Sequence, residues 1–174
     1  GAVVLALNYR LTARELEYIV SDAEPSVLFY DHELDGVVKE LGSLVSIDHY
    51  IGLDGLGGDT EFEAAIADGT LIEQMVPQYN HDQCMLMYSS GTTGKPKGVI
   101  ITHGMIFYAA VNASPQTMTT SHSVWLSVMP LFHIGGLNVS SLPALCIGAT
   151  NVVMRNFSPE AMLDVISDPE LGIT

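Results

Sequence analysis

The chain has 174 residues, of which 48% are hydrophobic and 15% charged. That is enough apolar material for one packed core, and it excludes a disordered tail. A formal net charge of −14 repels polyanions, which excludes nucleic acid as a partner and an anionic membrane surface as a docking site.

In chain order, Ala2 to Leu7 is a short apolar run that predicts a strand buried on both faces. Thr12, Ala13, Arg14 and Glu15 form a capping box that opens a helix with Leu16, Ile19, Val20 and Ala23 on one stripe. Pro25 helps to end it, and Ser26 to Tyr30 predicts the next strand. The middle carries weaker signals: Ile47 to Leu53 as a strand, Asp54 to Asp59 as a glycine-rich turn, and Thr60 as the cap of a short helix through Ala67. Cys84 to Tyr88 predicts a strand that runs directly into a glycine-rich loop. Gly98 to Thr102 resumes as a strand, followed by a helix from Gly104 to Asn112. Val124 to Met129 predicts a strand, Ile134 to Ile147 a helix kinked at Pro143, and Ala149 to Met154 another strand. Ser158 before Pro159 is a helix start, a cap residue with proline in the first turn. This alternation predicts an α/β layered fold around a largely parallel sheet with flanking helices. The chain begins directly in a strand and stops where another is due, so both ends read as cut.

No formally charged residue stands between His133 and Arg155, a run long enough to suggest a membrane span. Asn138, Ser140, Ser141, Pro143, Thr150 and Asn151 interrupt it and Gly148 splits it, so it reads as a buried helix and a buried strand, with no transmembrane segment. Cys84 and Cys146 lie far apart in apolar surroundings with no histidine in ligand spacing. They read as buried free thiols in a reducing compartment, and with no secretory or transit signal the expected location is cytoplasmic.

The most informative segment is Tyr88-Ser89-Ser90-Gly91-Thr92-Thr93-Gly94-Lys95-Pro96-Lys97-Gly98, which holds two of the six Lys and Arg residues. Glycine permits positive φ and close backbone approach, so that successive amides can converge on an anion. Serine and threonine hydroxyls donate to phosphate oxygens, and lysine adds charge-assisted bonds. In an acidic chain, such a local cationic site suits a small anion held in a pocket. A Walker-type loop does not fit: Ser89 stands where its first glycine belongs, and Pro96 where serine or threonine belongs. A Walker loop also opens a helix, whereas Val99-Ile100-Ile101 favours extended backbone. The segment is therefore expected to link two strands, either as a phosphate grip or as a flexible hydroxyl-rich hairpin turn.

This segment resembles the signature of the adenylate-forming superfamily, which includes acyl- and aryl-CoA synthetases, luciferases and peptide-synthetase adenylation domains. There the loop, often Tyr-Thr-Ser-Gly-Thr-Thr-Gly-x-Pro-Lys-Gly, wraps the phosphates of ATP. The resemblance implies that Ser89, Ser90, Gly91, Thr92, Thr93, Gly94, Lys95 and Lys97 bind ATP phosphates, and that the Ser89 hydroxyl, where threonine is usual, contacts Mg²⁺. Pro130-Leu131-Phe132-His133-Ile134-Gly135-Gly136 resembles the family segment Pro-x-x-His-x-x-Gly beside the acyl pocket. By that likeness His133 acts on the substrate carboxylate or acyl phosphate, and His133, Gly135 and Gly136 bind the acid, with the glycines leaving room for an acyl chain. Without the resemblance, a histidine in an apolar stretch reads as a satisfied core residue. Gly1 to Tyr30 resembles the family's early βαβ unit, so the likeness covers the whole chain.

The remaining histidines, His32, His49, His81, His103 and His122, show no zinc spacing, and the acidic residues are assigned no catalytic part. The family's later Tyr-Gly-x-Thr-Glu motif, ribose-binding aspartate segment, hinge and C-terminal lysine have no counterpart here. The resemblance thus implies residues 1–174 as part of the large N-terminal domain of an AMP-forming acyl-CoA synthetase, without the C-terminal lid domain. Its expected partners are ATP, Mg²⁺, CoA and a fatty or other apolar carboxylic acid. The parent enzyme would be cytoplasmic, with a peripheral membrane association compatible with that location. Two alternatives stand beside this: another adenylate-former, such as an adenylation domain or a luciferase-like enzyme, and a non-catalytic nucleotide-binding module.

Overall fold

The computed structural model describes residues 1–53, 60–67, 69, 76–89 and 94–174. They divide into two units: Leu7–Pro77 with Tyr88–Gly98, and Gly1–Ala6 with Gln78–Met87 and Val99–Thr174. The turn expected at Asp54 to Asp59 lies outside the described residues.

The unit containing residues 7–77 begins at the capping box, and both of its arms form. The Thr12 hydroxyl accepts from the Glu15 amide, and the Glu15 carboxylate accepts from the Thr12 amide at 2.8 Å. These bonds satisfy amides that the first helical turn leaves free. Helix α1 (Ala13–Ala23) buries Ala13, Leu16, Ile19 and Val20, and ends on Glu24 in the left-handed region at φ 46°. Strand β2 (Val27–Asp31) follows, then a short 3₁₀ turn (His32–Leu34) and helix α2 (Asp35–Leu44). Strand β3 (His49–Leu53) runs parallel to β2, with Val27 opposite His49 and Asp31 opposite Leu53. Ala13, Leu16, Val20, Leu41 and Ile47 form the core between α1 and α2. Leu41 and Val20, 1% and 2% exposed, each contribute about 1.5–3 kcal/mol by leaving water.

One boundary differs from expectation. Thr60–Glu61 is strand β4, parallel to β3 with Thr60 opposite Ile51. Helix α3 (Phe62–Ala67) therefore starts after Glu61, whose carboxylate accepts from the Glu63 and Ala64 amides.

The other unit contains β1 (Val4–Ala6), β5 (Gln83–Ser89) and β6 (Lys97–Thr102) in the order β1-β5-β6, with β5 and β6 running on at their loop ends into the first unit. Strand β1 pairs parallel to β5, Val4 opposite Met85. It is an edge strand in this sheet, and Val4 is 53% exposed, so it is not buried on both faces as expected. Cys84, Met85, Met87 and Ile101 form the apolar cluster here, joined by Ala6, Ile106, Leu137 and Leu142. The Cys84 thiol donates to the Ile101 carbonyl at 3.3 Å, and burial pushes its pKa up. Cys146, expected to be buried, is exposed at the end of helix α5 (Leu142–Cys146).

Helix α4 (His103–Thr117) is longer than expected and opens on Thr102, whose hydroxyl accepts from the Met105 amide. Strands β7 (Val124–Ser127) and β8 (Thr150–Val153) pair parallel, Val124 opposite Thr150. Helix α6 (Pro159–Ser167) is capped by Ser158 as predicted. The pairs β1–β5, β2–β3, β3–β4 and β7–β8 are parallel and flanked by helices, the layered α/β architecture expected. Among the described residues, no helix is long and apolar enough to cross a membrane.

The segment from Ile134 to Ile147 departs most from expectation. Gly135–Ser141 is a π-helix, and the Leu142 amide reaches back to the Leu137 carbonyl before α5 begins with Pro143 in its first turn. Besides Gly136, Pro143 and Ala144, its buried residues include the polar Asn138, Ser140 and Ser141, while Val139 and Leu145 are exposed. Tertiary hydrogen bonds hold the two serines inside. The Ser141 hydroxyl lies 2.8 Å from that of Ser127 and donates to the Gly136 carbonyl at 2.9 Å. The Asn151 amide nitrogen donates to the Ser141 carbonyl, and the Trp125 indole donates to the Ser140 hydroxyl at 2.8 Å. A polar set bonded in this way ties the π-helix to β7 and β8.

Candidate functional site

The glycine-rich segment connects two strands. Ser89 is the last residue of β5 and exposed; Lys97 is the first residue of β6 and exposed. Pro96 cannot donate a ladder bond, and the β-branched residues after Lys97 favour extension, so the second strand starts where the proline ends. Gly94 has φ +86°, a conformation that side-chain-bearing residues rarely adopt. Ser90, Gly91, Thr92 and Thr93 lie outside the described residues.

Helix α1 touches both flanks of this connection. The Tyr88 hydroxyl, one residue before Ser89, donates to the Asp22 carboxylate at 2.5 Å. Burial first, and the Asp22 bond second, raise the Tyr88 pKa above the ordinary phenol value, so the phenol stays protonated and remains a donor. On the other flank, the Lys95 ammonium lies 5.3 Å from the centre of the Tyr18 ring, within cation–π range. The Tyr88 ring also lies over Gly98 in β6. A Cβ on Gly98 would come within 3.1 Å of the ring, so glycine makes this contact possible.

The second candidate segment lies within the unit that contains Val99–Thr174. His133 is exposed, and its Nδ1 accepts from the Gly135 amide at 3.2 Å. That bond places an acceptor on Nδ1 and leaves Nε2 as the nitrogen that carries the proton in the neutral ring. The His133 carbonyl accepts from the Gly136 and Leu137 amides at 3.1 Å, which starts the helical segment. Gly136 has a packing reason to be glycine: a Cβ there would lie 2.2 Å from the Pro130 carbonyl oxygen and 2.7 Å from that of Met129. The chain's own backbone occupies that space. At Gly135 an added Cβ would meet the His133 ring at 3.4 Å.

The structure thus brings Ser89 and Lys97 to the two ends of one strand–loop–strand unit, with Lys95 between them. It gathers His133, Gly135 and Gly136 at the entry to the π-helix. Sequence reading missed Tyr18 and Asp22; their signal was a tyrosine and an acid spaced i, i+4 on the polar side of an amphipathic helix. The donor set suits Mg²⁺ that arrives on phosphates, a hard cation that takes few protein oxygens and keeps several waters: Ser89 offers one exposed hydroxyl oxygen. Among the described residues, the one group of three or more potential ligands is Asp31, His32 and Glu33, consecutive in the chain.

Comparison with known proteins gives these segments a setting. The family model described as "AMP-binding enzyme" matches residues 1–172. The chain is 31% identical to the indoleacetate–CoA ligase of Aromatoleum aromaticum, over 100% of this chain and 34% of that protein. It is 33% identical to a feruloyl-CoA synthase of an Amycolatopsis species, over 99% of this chain and 33% of the relative. Among solved structures, the ATP-bound MatB of Rhodopseudomonas palustris superposes with a TM-score of 0.79 at 27% identity, covering 95% of this chain and 32% of that one. The chain spans about a third of the length of these relatives.

Proposed function

Because the chain belongs to the AMP-binding enzyme family, we propose that it forms part of the N-terminal domain of a longer ATP-dependent acid–CoA ligase. The reaction has two steps. A carboxylate oxygen attacks the α-phosphate of ATP and releases pyrophosphate, forming an acyl-adenylate. The CoA thiol then attacks the acyl carbon, giving the thioester and AMP. The observation that carries the reading is the strand–loop–strand connection from Ser89 to Lys97, with cations at Lys95 and Lys97 in a chain of net charge −14.

In this reading Ser89 to Lys97 holds the phosphates while charge moves onto pyrophosphate, an electrostatic role that strengthens as the reaction proceeds. Ser89 would hold Mg²⁺, which neutralises phosphate charge when bound. His133, with Gly135 and Gly136, forms the acid side, where an Nε2 proton can be donated to the carboxylate or acyl phosphate. The substrate is a fatty or other apolar carboxylic acid. The exposed apolar residues around His133, Leu131 and Ile134, support this. The names of the relatives, an indoleacetate–CoA ligase and a feruloyl-CoA synthase, support an acid–CoA ligase but not a fatty acid in particular.

The test is ATP–pyrophosphate exchange in the full-length polypeptide, with indoleacetate, ferulate and a medium-chain fatty acid as substrates. Lys97→Ala or Thr92→Ala should lower exchange about a hundredfold. His133→Ala should lower it with little change in melting temperature. Unchanged exchange in both loop variants would remove the phosphate role. A His133→Ala protein that unfolds readily, yet retains normal activity per folded molecule, would make His133 a structural residue.

A further inference from the structure

Helix α1 is occupied on two sides. Ala13, Leu16, Ile19 and Val20 face the core. At about 100° per residue, Tyr18 and Asp22 fall on the opposite side, one above the other. They are the two residues that meet the flanks of the glycine-rich segment, Asp22 through the Tyr88 hydroxyl and Tyr18 through the Lys95 ammonium. We propose that Asp22 is a positioning residue for the phosphate loop: through Tyr88 it fixes the β5 end of the loop against Gly98 of β6, while Tyr18 holds Lys95 ready beside the loop. The proposal rests on the phosphate-loop reading above.

Three observations carry it. First, the Tyr88–Asp22 bond spans 66 residues of sequence, so it is a tertiary contact and not a by-product of local geometry. Second, Asp22 is in the last turn of α1, where the helix carbonyls already present negative charge and the turn carries no basic residue. An acid there works against the helix dipole, so Asp22 does not serve the helix, and its carboxylate instead accepts the Tyr88 hydroxyl bond. Third, the Tyr88 ring reaches across to Gly98, where an added Cβ would approach it to 3.1 Å. One side chain thus connects α1 with both strands that bear the loop. Lys95 faces Tyr18 through an exposed cation–π contact, weak enough to be exchanged for a phosphate.

The experiment measures steady-state adenylation in the full-length enzyme with ATP and acid varied separately. Asp22→Ala and Tyr88→Phe should each raise KM for ATP about three- to tenfold, the size expected for loss of one ordinary solvent-exposed hydrogen bond. The double variant should be no worse than either single one, since both remove the same bond. Asp22→Asn, which keeps an acceptor oxygen, should fall between wild type and Asp22→Ala. KM for the acid and kcat should stay within about twofold, and the melting temperature of Asp22→Ala should not drop, because an acid leaves a helix C-terminus. If Lys97→Ala cripples exchange while Asp22→Ala and Tyr88→Phe leave KM for ATP unchanged, the positioning role is overturned and the loop reading stands. If kcat, both KM values and melting temperature all worsen together, Asp22 is a structural brace, which also overturns the proposal. If Lys97→Ala is itself without effect, the loop reading fails and takes the proposal with it.

Discussion

Gly136→Ala is the substitution whose cost the structure determines most directly. The added methyl carbon would lie 2.2 Å from the Pro130 carbonyl oxygen, 2.7 Å from the Met129 carbonyl oxygen and 2.7 Å from the Pro130 carbonyl carbon. All three are backbone atoms, so no side chain can swing away. The φ of Gly136 is not positive, and the cost is therefore steric and not conformational. Moving residues 129–130 away would stretch the bond from the His133 amide to the Pro130 carbonyl at 3.2 Å. Moving the π-helix instead would stretch the bonds that tie it to the strands, from the Trp125 indole to the Ser140 hydroxyl at 2.8 Å and from the Asn151 amide to the Ser141 carbonyl at 2.9 Å. Overpacking of this kind costs about 1–3 kcal/mol, and each strained hydrogen bond adds about 0.5–1.5 kcal/mol. The expected destabilisation is about 4 kcal/mol, a large share of a domain's roughly 5–15 kcal/mol. The assay is urea unfolding followed by Trp125, the chain's single tryptophan, whose indole bonds Ser140 in the same segment. Gly135→Ala is the control, because its methyl meets side-chain atoms alone, the His133 ring at 3.4 Å and the Met129 sulfur at 3.7 Å, and it should cost less than about 1 kcal/mol. A Gly136→Ala protein within about 1 kcal/mol of wild type would show that backbone packing does not explain this glycine.

Two further outcomes follow from groups elsewhere in the fold. The Glu15 pKa is lowered, first by the Thr12 amide and then by the Thr12 hydroxyl. A depressed carboxylate stabilises the fold above its unfolded pKa, and that contribution is lost as pH falls through the folded value. Glu15→Gln should therefore unfold at lower urea than wild type at about pH 7 and match it near pH 3; a gap that persists in acid would contradict the capping account. Asn138 carries a buried side-chain oxygen with no hydrogen-bond partner, so the near-isosteric Asn138→Leu should raise stability by about 1 kcal/mol in the same urea assay, and a clear loss would show that the oxygen is satisfied in solution.

The parts of this fold that could be read from the sequence are those fixed by short-range chemistry. The Thr12–Glu15 box, the Ser158–Pro159 start and the β-branched run after Pro96 each act within a few residues, and each appears where expected. Helix α2 escaped notice because its signals are faint. It begins on Leu34 without a side-chain cap bond, contains Gly36 and Gly42, and buries only Val38 and Leu41. The helix expected to open at Thr60 starts at Phe62, because Thr60 and Glu61 pair as a strand with Ile51 and Gly52. The segment after His133 misled more deeply. Its hydropathy predicts an apolar inner face, yet hydrogen bonds to Ser127 and Asn151 draw its serines inward and turn Val139 and Leu145 out. In the candidate site, the loop and His133 stood out by composition and motif. Tyr18 and Asp22 did not, because their contacts with Lys95 and Tyr88 are tertiary and leave no periodic trace.

The two cysteines give the chain an internal clock for strand separation. Cys146 is exposed, while Cys84 is buried with its thiol directed at the Ile101 carbonyl of the neighbouring strand. An alkylating reagent needs a thiolate in contact with solvent, and burial holds the Cys84 thiol protonated as well as covered. Once Cys146 is replaced by serine, modification of the chain requires β5 and β6 to part. The rate of that reaction then measures how often the pair of strands bearing Ser89 and Lys97 breathes open.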